Sequence, residues 1–486
     1  MDLDTRFEST PDALTEVEVL GLAAQPGLSW PGGMDDYVET LGTGFSQALE
    51  RAEFKGEAGE SAVFGTGLTH PHTVVALGVG KEPGEDDIRR AAGRLGRIAK
   101  KSGSVASTLA WEGMAAAVVE GIRLSQYSYD RFKSKPKPSQ IESLVLLGEG
   151  AGQDLEKGKV ISEAVCWARD LVNTPAQHKS PQVFGTEVVE RLSEAEVRLV
   201  THDLEDLKEG GFGGVLGVAA GSDREPCMLE MWYEPEDAET FIALVGKGIV
   251  FDSGGLSIKP ASAMMTMKTD MSGAAAVVAS ISAIARLGLP VRVLGLVPLT
   301  DNMPGPLATK PGDVLRCRNG KTIEVLNTDA EGRLILADAL SYAVESGPDL
   351  MVDLATLTGA CKVALGDFIA GVMGTDEGLI ERLIGAGKDA GEQLWQLPLP
   401  KEYRSQLDTH MADMKNIGGR WGGAITAALL LKEFVGEVPW AHLDIAGPAR
   451  WPRDEHYQSQ GGSGFGVRTL VNLVSDLAEH EFANSE

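Results

Sequence analysis

The sequence predicts an α/β protein of two domains: a smaller N-terminal α/β domain and a larger C-terminal domain with a mainly parallel, helix-covered sheet. Three observations carry this. The chain has 486 residues, too many for one ordinary core. Short apolar runs alternate with helix-period segments, the pattern of repeated βαβ units. The 59 glycines are spread without a low-complexity stretch, which suits many tight turns between strands and helices.

Taken in order, Val74–Val79 and Ser143–Leu147 read as buried strands. Residues 86–101 and 113–126, between them, read as helices. All belong to the N-terminal domain, residues 1–152. Residues 154–172 set Leu155, Val160, Ile161, Ala164, Val165 and Ala168 on one side of a helix that Pro175 stops. Residues 153–175 are thus the connecting helix and linker, and 176–486 the second domain. There Phe241–Gly246 is a strand, Ser272–Leu287 an alanine-rich helix, Val291–Leu299 a strand, Leu334–Glu345 a helix and Leu350–Leu354 a strand. In such sheets chemistry lies beyond the carboxyl ends of the strands.

The net charge of −26 argues against nucleic acid or an anionic membrane as partner. Four dispersed cysteines without a CxxC pair indicate reduced thiols rather than a disulfide framework. The start, Met1 to Thr5, lacks the basic and apolar regions of a signal peptide. No uninterrupted apolar run reaches membrane-spanning length. A cytoplasmic location is expected.

The most informative stretch is Asn327-Thr-Asp-Ala-Glu-Gly-Arg-Leu334. Asp329, Glu331 and Arg333 alternate, so an extended segment would point all three into one space, in a turn that opens the next helix. The second stretch, Gly246 to Pro260, leaves a strand end and carries Lys247, Asp252 and Lys259. Asp270 follows on the approach to the alanine-rich helix. Three aspartates and one glutamate without histidine or cysteine make an oxygen-rich ligand set. Four crowded carboxylates repel, and burial worsens this, so two divalent cations are the natural partners. Oxygen ligands suit Mg²⁺, Mn²⁺ and Zn²⁺ alike. Lys247 adds an amine ligand only when neutral, which an adjacent dication favours.

With these motifs, together with Met267–Ala276, Asp353–Gly359, Trp440–Gly447 and Asn173-Thr174-Pro175, the chain resembles the leucyl aminopeptidase family of cytosolic dinuclear metallo-exopeptidases. The motifs spread over residues 169–470, and the first ~150 residues match only in position and coarse pattern. The resemblance implies that Asp252 and Glu331 bridge two metals. Lys247 and Asp270 would complete the tighter site, and Asp329 the more exchangeable one. It implies Mn²⁺ or Zn²⁺, with Mg²⁺ or Co²⁺ also accepted in the exchangeable site. A metal-bridging water would attack the peptide carbonyl, Lys259 would stabilise the tetrahedral intermediate, and bicarbonate on Arg333 would act as general base. Met267, Asn327, Thr356, Gly359 and Ala446 would bind substrate; their small or apolar members suit leucine. Peptides with a free N-terminus and a homohexameric assembly are the implied partners.

Other features get bland readings. His70-Pro71-His72 is a surface loop, and His442 a core histidine. Met264, Met265 and Met271 are packing residues. Gly78-Val79-Gly80-Lys81 lacks phosphate-loop spacing. Arg131 to Pro138 is a basic interdomain loop rather than a nucleic-acid contact. Lys362, Trp421, Arg450 and Trp451 stand near pocket or lid segments. A dinuclear phosphoesterase would bring histidines, and none is near these motifs.

Overall fold

The computed structural model describes residues 3–8, 11–31, 33–111, 113–136, 139–148, 150, 152–480 and 482. The chain divides into two compact units: Met1–Cys166 with Pro452–Gln460, and Trp167–Trp451 with Gly461–Glu486. The division falls inside one long helix, Gly152–Asn173.

The first unit contains a six-stranded sheet. Its strands are β1 (Asp4–Glu8), β2 (Val19–Ala24), β3 (Ser61–Gly65), β4 (Thr73–Gly78), β5 (Ser104–Ser107) and β6 (Ser143–Leu147), in the order β1-β6-β5-β2-β4-β3. Only β3 runs antiparallel to its neighbour. The predicted helices are Glu85–Ile98 and Ala115–Ser125. His70 and His72 are exposed, as the surface reading has it. Lys137 and Pro138 of the basic loop lie outside the described residues.

The second unit is built on β7 (Val197–His202), β8 (Cys227–Tyr233), β9 (Thr240–Gly246), β10 (Gly248–Asp252) and β11 (Val291–Asn302). It continues with β12 (Val314–Arg316), β13 (Thr322–Glu324), β14 (Leu350–Ala355), β15 (Ala370–Gly374), β16 (Leu394–Gln396), β17 (Met414–Lys415) and β18 (Trp440–Asp444). The main sheet runs β16-β15-β18-β14-β9-β11-β8-β7, and β10 pairs with β11. The pairs β18/β14, β14/β9, β9/β11 and β10/β11 are parallel. Antiparallel pairing enters at β15 and at β8 and β7, the last two being strands that the apolar-run reading did not pick out. A small sheet, β12-β13-β17, stands apart.

Helix Ser272–Leu287 is buried along nearly its whole length. Alanines let it lie close to the strands, and Gly288, at φ +63°, ends it in the left-handed region. A Cβ at Gly273 would stand 2.0 Å from the Leu354 carbonyl oxygen, so only glycine permits this approach. Met267–Leu287 is long and apolar enough to cross a membrane, but 83% of its apolar window is buried in the fold, as befits a core helix. The four cysteines are free thiols.

Parallel strands present their carboxyl ends on one edge. Gly246, Asp252, Asn302, Ala355 and Asp444 end β9, β10, β11, β14 and β18. Residues at or just past these ends, with Asp270 before helix Ser272–Leu287 and the turn before helix Gly332–Glu345, build the site.

Candidate metal centre

Lys247 follows β9 directly and is 2% exposed. Its Nζ lies 2.8 Å from Asp270 Oδ2 and 2.8 Å from Glu331 Oε1, and donates to the Thr356 carbonyl at 3.0 Å. Lys259 Nζ lies 2.7 Å from Asp252 Oδ2 and 2.5 Å from Asp329 Oδ1. Oxygens of Asp252, Asp329 and Glu331 all come within 4.8 Å of one another. Five sequence-predicted metal ligands and Lys259 thus share one cluster.

The segment is the helix-opening turn expected, without the extended form that alternation alone would allow. Glu331 has helical angles (φ −78°, ψ −36°) and caps helix Gly332–Glu345, so Arg333 already sits in the first turn. Asp329 and Glu331 meet through a turn, not through strand alternation. Arg333 is buried, and its Nη1 donates to the Asn416 carbonyl at 2.7 Å. Its Nε has no hydrogen-bond partner. Burial pushes its guanidinium down to about 10.

Electrostatics define what the cluster lacks. Burial opposes charge on Lys247, yet Asp270, then Glu331 and Asp252, raise its amine above the ordinary lysine range. Lys259 is raised likewise, burial being outweighed chiefly by Asp252. Burial lifts Asp270 well above the usual carboxylate range, and Glu331 and Asp252 add to this against the pull of Lys247. Glu331 goes the other way: Lys247, then Lys259, overcome its burial and hold it low. Two ammonium groups offset only half the charge of four carboxylates, and Glu331 Oε2 is buried without a hydrogen-bond partner. That deficit, and the carboxylate and amine donor set, fit divalent cations.

Small residues keep the cluster tight. Gly254, at φ +88°, would put a Cβ 2.8 Å from Asp329 Oδ1. At Gly332 a Cβ would meet Lys247 Cε at 2.5 Å and Nζ at 2.8 Å. Gly332→Ala should therefore displace the Lys247 amine while favouring the helix. The expected result is Mn²⁺ affinity lowered by roughly 10-fold or more, with an unchanged or higher melting temperature in chelator. Calorimetric titration beside a thermal melt measures both.

Two of the predicted substrate residues, Thr356 and Asn327, touch the cluster. Thr356 Oγ1 donates to Asp270 Oδ1 at 2.8 Å. Asn327 Oδ1 accepts from the Asp329 N–H at 2.9 Å, bracing the turn. Gly359 opens helix Gly359–Leu365 and is exposed, and Ala446, half-buried, follows β18. Met267 starts the short turn Met267–Thr269 and is half-buried. Met271 is fully buried, but Met265 is 78% exposed and does not pack as expected, because it stands at the exposed end of helix Ala261–Met264. His442 is fully buried, with Nδ1 2.7 Å from Asp353 Oδ1, although its Nε2 has no partner. Lys362 is exposed and paired with Asp367 at 2.7 Å. Trp421 is exposed, and the Trp451 ring lies 4.7 Å from that of Phe368, tilted by 49°.

Sequence reasoning missed the supports. Asn302 Nδ2 donates to Asp252 Oδ1 at 2.8 Å and to the Thr328 carbonyl at 3.0 Å. Asn416 accepts from the Leu326 N–H at 2.9 Å and donates to the Asn327 carbonyl at 2.6 Å. Asp444 accepts from Thr358 Oγ1 at 2.7 Å. Asn302 and Asp444 end parallel strands, a signal that could have found them; Asn416 offers none.

Residues 166–471 match the cytosol aminopeptidase family, catalytic domain, and residues 19–136 its N-terminal domain. The chain belongs to the cytosol aminopeptidase family. It is a metal-dependent aminopeptidase, a hydrolase of the metallo-exopeptidase kind. It is 44% identical over 455 residues to a probable cytosol aminopeptidase of Chlorobaculum tepidum, covering 87% of this chain and 90% of that one. It is 42% identical to one from Rhodococcus jostii, with 95% of each chain covered. Among solved structures, a tomato leucine aminopeptidase mutant superposes with a TM-score of 0.88 at 32% identity, covering 98% of this family member and 96% of the tomato chain. The bottromycin maturation enzyme BotP in complex with Mn superposes with a TM-score of 0.86 at 35% identity, covering 95% and 100%.

Proposed function

We propose that this aminopeptidase releases leucine and other bulky apolar residues from peptide N-termini, with two divalent ions held by Lys247, Asp252, Asp270, Asp329 and Glu331. The observation that carries the reading is four carboxylates gathered in one buried cluster with two ammonium groups among them. When bound, such ions supply an activated water near neutral pH and polarise the peptide carbonyl. Asp252 and Glu331 would serve both ions, Lys247 and Asp270 would complete the tighter site, and Asp329 would complete the exchangeable one.

The chain's own groups do the rest. Lys259, held charged by its carboxylate neighbours, donates to the carbonyl oxygen as that oxygen becomes negative. Arg333 keeps a buried Nε free of protein partners, in the first turn of a helix; such a position suits a bicarbonate as general base. Thr356 orients Asp270, and Asn327 the Asp329 turn. Met267, Gly359 and Ala446 border the space for the first side chain. Mn²⁺ is the favoured ion, in keeping with the Mn complex of the BotP relative, and Zn²⁺ is the alternative for the same donors. A cytoplasmic homohexamer without nucleic-acid partners completes the reading; a monomeric mass by light scattering would count against the assembly.

Chelator-stripped protein reconstituted with Mn²⁺, Zn²⁺, Co²⁺ or Mg²⁺ should regain hydrolysis of leucine p-nitroanilide. It should also prefer this substrate to the glycine analogue. No turnover with any ion sinks the metal reading, and equal rates on both substrates sink the side-chain preference.

A further inference from the structure

Lys179 is one of the buried basic residues of the catalytic unit that the reaction does not use. Lys179 is 2% exposed. Its Nζ donates to the Leu171 carbonyl at 2.8 Å, to the Lys268 carbonyl at 2.8 Å and towards Met271 Sδ at 3.2 Å. Leu171 lies in the last turn of helix Gly152–Asn173, where carbonyls lack intrahelical partners and attract cations. Lys268 returns the tie, its Nζ donating to the Asn173 carbonyl at 2.5 Å. Two lysine amines therefore lash the Asn173-Thr174-Pro175 corner to the turn at 267–271.

That turn carries Asp270. The Lys179 amine grips it on both sides, by the carbonyl two residues before Asp270 and by the sulfur one residue after. A buried amine costs free energy unless every donor is used. Burial, and then the Lys268 ammonium, push the Lys179 amine down to about 7. In either protonation state its N–H groups point to these backbone carbonyls.

We infer that Lys179 is a positioning residue, whose amine fixes the Lys268–Met271 turn and so sets where Asp270 and Met267 stand. Its effect on metal affinity rests on the metal reading above; its effect on the turn does not. The two carbonyls and the sulfur around the amine form a cage for one small cation, and the lysine stem fills the approach to it.

Two variants test this. Lys179→Met keeps the volume and removes the amine. Lys179→Ala opens the stem's space to a small cation. For Lys179→Met, Mn²⁺ affinity by calorimetry should fall roughly 10–100-fold, the usual cost of losing a partner behind a ligand. Hydrogen exchange of the 266–272 segment in chelator should speed up. For Lys179→Ala, methylammonium should restore Mn²⁺ affinity and exchange protection, whereas tetramethylammonium at equal ionic strength should not. Parent-like affinity and exchange in Lys179→Met overturn the inference. So does a Lys179→Ala protein that folds, is weakened and ignores methylammonium, since packing alone would then explain it. If Lys179→Ala does not fold, Lys179→Met decides. If the parent binds no Mn²⁺, the metal reading fails, and exchange of the metal-free turn still decides the role of Lys179.

Discussion

Glu331→Gln is expected to abolish peptidase turnover and to weaken Mn²⁺ binding beyond the roughly 10–100-fold that loss of an outer-shell partner costs. The substitution keeps shape and volume, so packing is spared. It removes charge where none is spare. Glu331 is 2% exposed, one oxygen lies 2.8 Å from Lys247 Nζ, and the other has no protein donor. Lys247 holds its carboxyl below the usual range, so it remains ionised across working pH. An amide offers one weak oxygen in place of two anionic ones and cannot serve two ions. Calorimetric titration with Mn²⁺ and turnover of leucine p-nitroanilide measure the two losses. An E331Q protein that binds Mn²⁺ like the parent, or keeps a substantial rate, removes the bridging role.

The site was legible where chemistry is written in local sequence. Lys247, Asp252, Lys259 and Asp270 stand on loops next to predicted strand ends, and parallel topology brings them to Asp329 and Glu331. The octapeptide was read correctly as a turn that opens a helix, although not through the extended form that its alternation would allow. Alternation assumed an extended strand, but the helix begins one residue after Glu331, and a helix start also gathers residues two apart through its turn. What stayed hidden acts over long sequence separations. Asn416 serves Arg333 across 83 residues, and Asn302 serves Asp252 across 50. Lys179 reaches Lys268 across 89. An asparagine or lysine in a loop has no local mark for such a task; it follows from which chain segments the sheet order brings together. The β7 and β8 strands escaped for a related reason. Val197–His202 alternates only weakly in burial, and its antiparallel place beside β8 is set by tertiary pairing.

Lys259→Met separates catalysis from metal binding, and its expected outcome is opposite in kind. Lys259 Nζ contacts Asp252 and Asp329, the same carboxylates that the ions require. Its ammonium therefore competes with a dication for those oxygens in the metal-free protein. Removing it leaves carboxylate repulsion uncompensated, so the chelated protein should melt lower and gain more from added Mn²⁺. Mn²⁺ affinity should be equal to the parent's or tighter. Turnover should nevertheless fall by about 10²–10³-fold, the cost of losing one donor aimed at developing negative charge. KM should change little, because that donor acts on the oxygen only as charge builds there. Steady-state kinetics with saturating Mn²⁺, beside melts with and without the ion, read all of these. Weakened Mn²⁺ binding in proportion to lost turnover would make Lys259 a structural counterion. Unchanged turnover would remove it from the reaction. Paired with E331Q, which should lose affinity and rate together, the two variants divide the cluster into residues that hold the ions and a residue that works on the substrate beside them.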